Sequence, residues 1–119
     1  MLRKNILAKR HNAKRRALRT RSKIHGTAEC PRLSVFRSDK HISAQLINDD
    51  IGRTICVASD IKMGHNDKPL VRATAVGATL AKLAMTSGLK TIVFDRGSYV
   101  YHGRVAALAE ACRAGGLVF

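Results

Sequence analysis

Alternation of apolar and polar residues predicts three consecutive β-strands after residue 31. The runs are RLSVFR at 32–37, HISAQLIN at 41–48 and TICVAS at 54–59. In the first run Leu33 and Val35 share one face and Phe36 lies on the other, and in the third we expect Ile55 and Val57 to point inward. Ser-Asp-Lys and Asn-Asp-Asp-Ile-Gly separate the runs and are typical of turns. We therefore expect a three-stranded meander.

An aperiodic loop at 60–69 precedes a predicted helix. Val76, Leu80 and Leu83 recur at helical spacing within an alanine-rich run that contains no proline. Gly88 follows where the helix should end, because glycine readily adopts the backbone conformation that terminates helices.

A fourth strand and a second helix complete the pattern. The apolar run TIVFD at 91–95 has the length of a buried strand, and residues 104–114 recur at helical spacing up to the glycine pair at 115–116. The order β-β-β-α-β-α predicts an α/β fold, a mixed sheet with two helices packed on one face and the other face partly open. The inward face of the second helix is expected to hold Val105, Leu108, Ala109 and Cys112.

The first 28 residues form a basic arm. They carry ten Lys and Arg side chains and no Asp or Glu, which is most of the formal net charge of +14. Such a charge density repels itself, so we expect residues 1–28 to be disordered when the protein is free and to bind a polyanion, most simply the phosphates of nucleic acid. Residues 29–119 suffice for one small domain. The arm cations are Arg3, Lys4, Lys9, Arg10, Lys14, Arg15, Arg16, Arg19, Arg21 and Lys23.

Other uses of a basic N-terminal segment stay open at this point. A mitochondrial transit peptide would be amphipathic and richer in serine. The apolar residues of the arm form no wide stripe at helical spacing, which also disfavours a helix lying on a membrane. A solvated tail or a nuclear-localisation cluster is a further alternative.

Composition also limits the class of protein. No apolar run approaches the roughly 20 residues that cross a bilayer, so we expect a soluble intracellular protein without membrane contacts. Cys30, Cys56 and Cys112 are odd in number and widely spaced, which predicts reduced thiols rather than disulfides or a zinc site. We expect no cofactor, no metal and no small-molecule substrate.

The densest cluster of functional residue types is RGSYVYHGR at 96–104. Tyr and His rings can stack on bases, Arg can bond phosphate, and Gly lets the backbone approach a ligand closely. The alternative is a packing role, in which Tyr99 and Tyr101 point inward while His102 and Arg104 serve the following helix. Composition alone leaves the two interpretations equally open.

Acidic residues suggest two enzyme sites that the spacing does not support. Asp95 with His102 would form an acid–base pair, and four aspartates would build a metal-dependent nuclease. No phosphate-binding loop, nucleophile elbow or zinc-binding helix motif accompanies them, so we expect no catalysis. The four aspartates are Asp49, Asp50, Asp60 and Asp67.

Two long segments resemble one protein family. GTAECPRLSVFRSDKHISAQLIND at 26–49 and FDRGSYVYHGRVAALAEACRAGGLVF at 94–119 are similar to bacterial large-subunit ribosomal protein eighteen, the L-eighteen family that binds 5S rRNA. The resemblance extends over essentially the whole chain. It implies a non-catalytic α/β sandwich in the cytoplasmic large ribosomal subunit, with an organellar source still open. The implied partners are 5S rRNA, 23S rRNA and the neighbouring 5S-binding ribosomal proteins of the central protuberance.

The motifs of that family carry over to numbered positions of this chain. Its hairpin pattern R-S-x-K-H and its loop pattern D-R-G-G-Y-x-Y-H-G-R imply RNA contacts in both segments. This chain departs from the family in three places: Ser98 stands where a second glycine is usual, Ser43 replaces a common tyrosine, and the loop at 60–69 is shorter. The implied RNA-binding residues outside the arm are Arg37, Ser38, Lys40, His41, Arg96, Gly97, Tyr99, Tyr101, His102, Gly103 and Arg104.

Two functions of other classes are kept as alternatives. A metal-dependent nuclease would require a divalent metal for RNA turnover. A sequence-tolerant DNA-binding architectural protein would prefer duplex DNA in competition with 5S rRNA.

Overall fold

The computed structural model describes the backbone of residues 2–61 and 68–119, and the side chains from residue 5 onward. The side chains of Arg3 and Lys4 therefore lie outside the described residues, as does Asp67. Expectations that concern them stay predictions.

The sheet is mixed and has four strands in the order β3-β2-β1-β4. Its meander is antiparallel, as predicted, and the last strand pairs parallel with the first. The last strand is shorter than the apolar run at 91–95, because Thr91 forms an isolated bridge with Val118 instead of joining it. The strands are β1 (Arg32–Arg37), β2 (Ile42–Asn48), β3 (Arg53–Ser59) and β4 (Val93–Asp95).

In the described part of the chain three helices accompany the sheet, and two of them were predicted. The order β-β-β-α-β-α is confirmed from β1 onward, with α2 and α3 packed together over one face of the sheet. Phe36 lies on the opposite face and is 63% exposed. The helices are α1 (Leu2–Arg21), α2 (Pro69–Thr86) and α3 (Arg104–Ala114).

The prediction that Ile55 and Val57 point inward is wrong. Both side chains are exposed, and Cys56 takes an inward position opposite Leu46 of β2. The register shifts between Leu46 and Ile47, which places one additional residue in β3. Side chains alternate along a strand, so one extra residue exchanges the two faces.

Close approach of α2 and α3 forms the second half of the core. A Cβ atom at Gly77 would lie 2.4 Å from the Leu108 carbonyl oxygen and 2.8 Å from Ala111 Cβ, so only glycine fits there. Cys112 is fully buried beside it, and burial raises the pKa of its thiol to about 12. Of the three residues whose spacing predicted this helix, Val76 and Leu80 are fully buried and Leu83 is 42% exposed. The buried apolar positions of α2 are Ala73, Val76, Gly77, Leu80, Ala81 and Ala84.

The helical arm is a difference from the sequence-based expectation. Helix α1 contains no acidic residue that could pair with its cations, and it has no apolar stripe. Contacts with the body support it: the Thr20 hydroxyl lies 3.0 Å from the Gly97 carbonyl oxygen, Arg16 Nε lies 3.4 Å from that of Ser98, and Arg21 pairs with Asp49 at 3.1 Å. A helix of this composition has little stability of its own. Disorder of the arm in the free protein stays a prediction.

Replacement of Gly77 by valine should destabilise the fold, because the new side chain has no space between α2 and α3. Forcing extra carbon atoms into a packed interface costs about 1 to 3 kcal/mol. Ala78→Val, at the exposed neighbouring position, should cost at most roughly 0.7 kcal/mol, which is the helix-propensity difference alone. Urea unfolding of both variants measures the difference. Equal losses would show that α2 and α3 do not pack as described.

Candidate nucleic-acid interface

The arm presents its cations to solvent. Arg10, Lys14, Arg15 and Arg19 are exposed on α1, and Arg21 at its end is half-buried. Because positive charge lies all around the helix, α1 has no face suited to burial in a protein core. The helix is instead available to a highly negatively charged partner.

A cleft separates the arm from the loop that follows β4. It has a volume of about 540 Å³. Three cationic side chains from two different segments line it, and none of its described lining residues is acidic. An anion such as a phosphate would therefore meet no repelling charge in the lining. The lining residues are Lys9, Asn12, Ala13 and Arg16 of α1, Arg37 of β1, and Ser98, Tyr99 and Val100 of the loop.

Tyr99 connects this loop to the end of β1. Its phenol oxygen accepts a hydrogen bond from the Arg37 amide at 3.0 Å and donates one to the Arg37 carbonyl at 3.1 Å. The Arg37 guanidinium lies over the Tyr99 ring, with Cζ 5.4 Å from the ring centroid. Arg96 donates to the Tyr99 carbonyl at 2.8 Å. Tyr99 therefore holds two predicted RNA-binding segments together.

Tyr101 points to a different part of the molecule. Its ring packs edge-on against Phe94, with centroids 5.7 Å apart, and its hydroxyl accepts a hydrogen bond from Arg113 at 3.1 Å. The side chain is 41% exposed. Each tyrosine packs against the protein, as the packing interpretation predicted. Each also retains accessible surface, which the base-stacking interpretation requires. His102, by contrast, is exposed.

The turn between β1 and β2 lies beside the same loop. Arg37, Ser38 and Lys40 are exposed, and His41 is half-buried. Arg104 at the start of α3 donates to the carbonyl of Asp39 at 3.4 Å. The structure therefore brings together the arm, the hairpin and the loop at 96–104, which are far apart in sequence.

Two glycines shape the loop. Gly97 and Gly103 have φ of 63° and 59°, a region in which side chains are strained. Ser98 does not have a positive φ, since no described residue other than glycine does. The serine at this position is therefore compatible with the loop conformation.

An ion network that no sequence motif indicated lies beneath these segments. Asp49 accepts two hydrogen bonds from Arg32, at 2.9 and 3.0 Å, and Arg32 also reaches Asp95 at 2.8 Å. Asp49 is also paired with Arg21 of the arm at 3.1 Å and accepts the Gly26 amide at 2.8 Å. The Arg32 guanidinium, helped by the Gly26 amide and by Arg21, holds the pKa of Asp49 far below its usual range, although burial opposes this shift. The same bonds with Asp49 raise the pKa of Arg32.

Among the described residues, Asp49, Asp50, Asp60 and Asp95 do not assemble into an enzyme site, and Asp67 lies outside that part of the chain. Asp60 is buried and pairs with His41 at 3.1 Å and with Arg72 at 3.6 Å, away from Asp49. Asp95 directs one carboxylate oxygen at Arg32 and the other at the Gly97 amide, so it does not pair with His102. Across residues 2–61 and 68–119, no three His, Cys, Asp or Glu side chains are placed to hold a metal ion. In this same part of the chain, no helix combines the length and apolarity required to span a membrane.

Comparison with known proteins identifies the family. The family described as ribosomal L18 of archaea, bacteria, mitochondria and chloroplasts matches residues 7–119. This chain belongs to that family. Three bacterial relatives are each named large ribosomal subunit protein uL18. The one from Desulforudis audaxviator is 46% identical over 97% of this chain and 98% of its own length. The proteins of Ligilactobacillus salivarius and Pelotomaculum thermopropionicum are 52% and 54% identical, over 93% and 88% of this chain and 95% and 90% of their own lengths.

Family membership confirms the resemblance read from the sequence. The chain is a structural protein of the large ribosomal subunit, and its family implies rRNA and other ribosomal proteins as partners. Its bacterial relatives indicate a cytoplasmic location, within that subunit.

Asp49→Asn should remove part of the acid sensitivity of folding. The pKa of Asp49 is lower in the folded than in the unfolded protein, so its stabilising effect is complete above pH of about 4 and is lost as the pH falls further. At neutral pH the substitution should cost roughly 3 kcal/mol, because it breaks a buried ion pair. The difference in unfolding free energy between wild type and variant should narrow steadily as the pH falls below about 4. Chemical unfolding at several pH values measures it.

Asp50→Asn is the matched control for this prediction. Asp50 is 55% exposed and pairs only with the exposed His25 among the described residues. Its replacement should change stability by about 0.5 kcal/mol or less at every pH. If the difference in unfolding free energy between wild type and Asp49→Asn does not change with pH, the role assigned to the carboxylate is wrong.

Proposed function

We propose that this ribosomal protein binds 5S rRNA and helps attach it to 23S rRNA in the central protuberance, beside the neighbouring 5S-binding proteins. The cleft between α1 and the loop residues 98–100 carries the proposal. It places Lys9, Arg16 and Arg37 around one space of about 540 Å³. Phosphate contacts of this kind position a protein on RNA, and exposed loops then recognise its shape.

The arm and the body have different tasks in this proposal. The arm neutralises phosphates, releases counterions and orders fully when the RNA is present. The body supplies a rigid surface at the hairpin and the loop, where Tyr99 fixes the position of Arg37. The proposed contacts are Arg3, Lys4, Lys9, Arg10, Lys14, Arg15, Arg16, Arg19, Arg21, Lys23, Arg37, Ser38, Lys40, His41, Arg96, Gly97, Tyr99, Tyr101, His102, Gly103 and Arg104.

A footprint on 5S rRNA is the direct test. Protection confined to one helix and its adjoining loop would support specific binding, and protection spread evenly along the molecule would contradict it. Binding should also be stoichiometric and insensitive to a chelator at a fixed RNA fold. Turnover of RNA that depends on a divalent metal would favour a nuclease instead.

Loss of arm charges should reduce the salt dependence of 5S rRNA binding. With about 6 to 10 phosphates neutralised, the wild type should lose about a thousandfold in affinity between roughly 50 and 200 mM salt. Replacement of Arg15, Arg16 and Arg19 by glutamine should lower the slope of log K against log salt by roughly 2 to 3. Fluorescence anisotropy of labelled 5S rRNA measures both slopes.

A second triple variant controls for net charge. Arg53, Lys82 and Lys90 are exposed and lie outside the cleft, so their replacement by glutamine removes the same charge elsewhere. Its slope should stay within about 1 of the wild-type value. Equal decreases in both triple variants would show that RNA responds to the total charge of the protein rather than to the arm. A nearly flat slope for the wild type would refute phosphate-dominated binding.

The two tyrosine hydroxyl groups should differ in importance. Tyr99→Phe keeps the ring but loses both hydrogen bonds to the Arg37 backbone, so the hairpin is held less firmly. The two lost hydrogen bonds, at about 1 kcal/mol each, amount to about 2 kcal/mol, which corresponds to roughly thirtyfold weaker 5S rRNA binding. Tyr101→Phe loses only a contact with the exposed Arg113, and about a twofold effect is expected. Equal affinities of the two variants would argue against the role assigned to Tyr99.

A further inference from the structure

We infer that Asp49 is a positioning residue for RNA binding: it fixes where the arm leaves the body and, through Arg32 and Asp95, holds the 96–104 loop beside the arm. The inference rests on the proposed function, because the two segments that it aligns are the proposed RNA contacts. Asp49 itself is only 9% exposed and has no direct part in binding an anion.

Asp49 holds the base of the arm at two points. Its side chain pairs with Arg21 at 3.1 Å and accepts the Gly26 amide at 2.8 Å, while its own amide donates to the Gly26 carbonyl at 2.9 Å. Gly26 fits tightly against β1 and β2, since a Cβ atom there would lie 2.4 Å from the Arg32 nitrogen and 2.5 Å from the Ile47 oxygen. The segment between Arg21 and Gly26 is therefore fixed at both ends.

The same carboxylate is connected to the loop. Arg32 joins Asp49 to Asp95, and Asp95 accepts the Gly97 amide at 2.9 Å. The Gly97 carbonyl then faces the Thr20 hydroxyl at 3.0 Å, one residue before Arg21 in the arm. The contacts thus form a closed circuit from the arm through β2, β1 and the loop back to the arm. Loss of the Asp49 carboxylate removes the Arg21 anchor of the arm and one of the two carboxylates that hold Arg32 beneath the loop.

Removal of the negative charge of Asp49 distinguishes a positioning role of this residue from a purely electrostatic one. Asp49→Asn removes a negative charge close to the proposed interface, and charge alone would make binding of a polyanion tighter. Positioning predicts the opposite, because a less restricted arm must lose more conformational freedom when it binds. Asp50→Asn removes the same charge one residue away without breaking the circuit.

We expect Asp49→Asn to weaken 5S rRNA binding about tenfold at temperatures where it stays folded, whereas Asp50→Asn should bind as tightly as wild type or slightly tighter. The effect should depend on the arm. In the background with Arg15, Arg16 and Arg19 replaced by glutamine, Asp49→Asn should weaken binding by less than about threefold. Thermal unfolding of every variant establishes the folded fraction at the temperature of measurement.

Three outcomes would overturn the inference. Unchanged or tighter binding by Asp49→Asn would show that the circuit does not position the arm. An equal factor of loss in both backgrounds would show that Asp49 acts independently of the arm. Amide relaxation of residues 13–20 in the RNA-free protein provides the third test, because Asp49→Asn should make these residues more mobile than Asp50→Asn does. Unchanged mobility contradicts the inference even if wild type fails to bind 5S rRNA, an outcome that would refute the proposed function separately.

Discussion

The ion network of Asp49, Arg32 and Asp95 is the constraint on which the arrangement of the interface depends. The Arg32 side chain is 12% exposed, and the carboxylates it joins are exposed by 9% and 6%. Charges buried to this extent are stable only when they are paired and hydrogen-bonded. Asp49 accepts donors from Arg32, Arg21 and Gly26, and Asp95 accepts them from Arg32 and Gly97, so the network holds the end of β2, the start of β1 and the loop after β4 in one geometry. The arm joins this geometry through Arg21.

The division of charge between arm and body follows from the same physics. A folded core of this size can bury a few paired charges, but it cannot bury the cations of the arm. Those cations therefore lie on a helix with little stability of its own, whose ordering depends on contacts with the loop and, in our proposal, on RNA. A rigid body beside a weakly ordered arm suits a protein that must recognise a folded RNA and also reach between its segments.

The candidate site was only partly predictable from the sequence. The hairpin and the loop at 96–104 were identified from residue types and from the family resemblance, and the structure places them side by side. Arg32 and Thr20 gave no local signal. Their partners lie 17 and 63 residues away for Arg32, and 77 for Thr20. Pairing over such separations depends on how the strands are arranged, and no short motif encodes it. The separate directions of Tyr99 and Tyr101 were undetermined for the same reason.

The sequence by itself determined the local elements and the charge. Alternation gave β1 and β2, helical periodicity gave α3 with its observed bounds, and the acid-free start predicted a basic arm. Tertiary structure decided which face of β3 is buried, because a single extra residue opposite β2 reverses the alternation. It also decided that the arm is helical and where it lies, since α1 lacks an apolar stripe and is held by Thr20, Arg16 and Arg21. Hydrophobic periodicity reflects only interactions between residues that are close in sequence. These outcomes depend on contacts between residues that are far apart in sequence and that meet only in the folded protein.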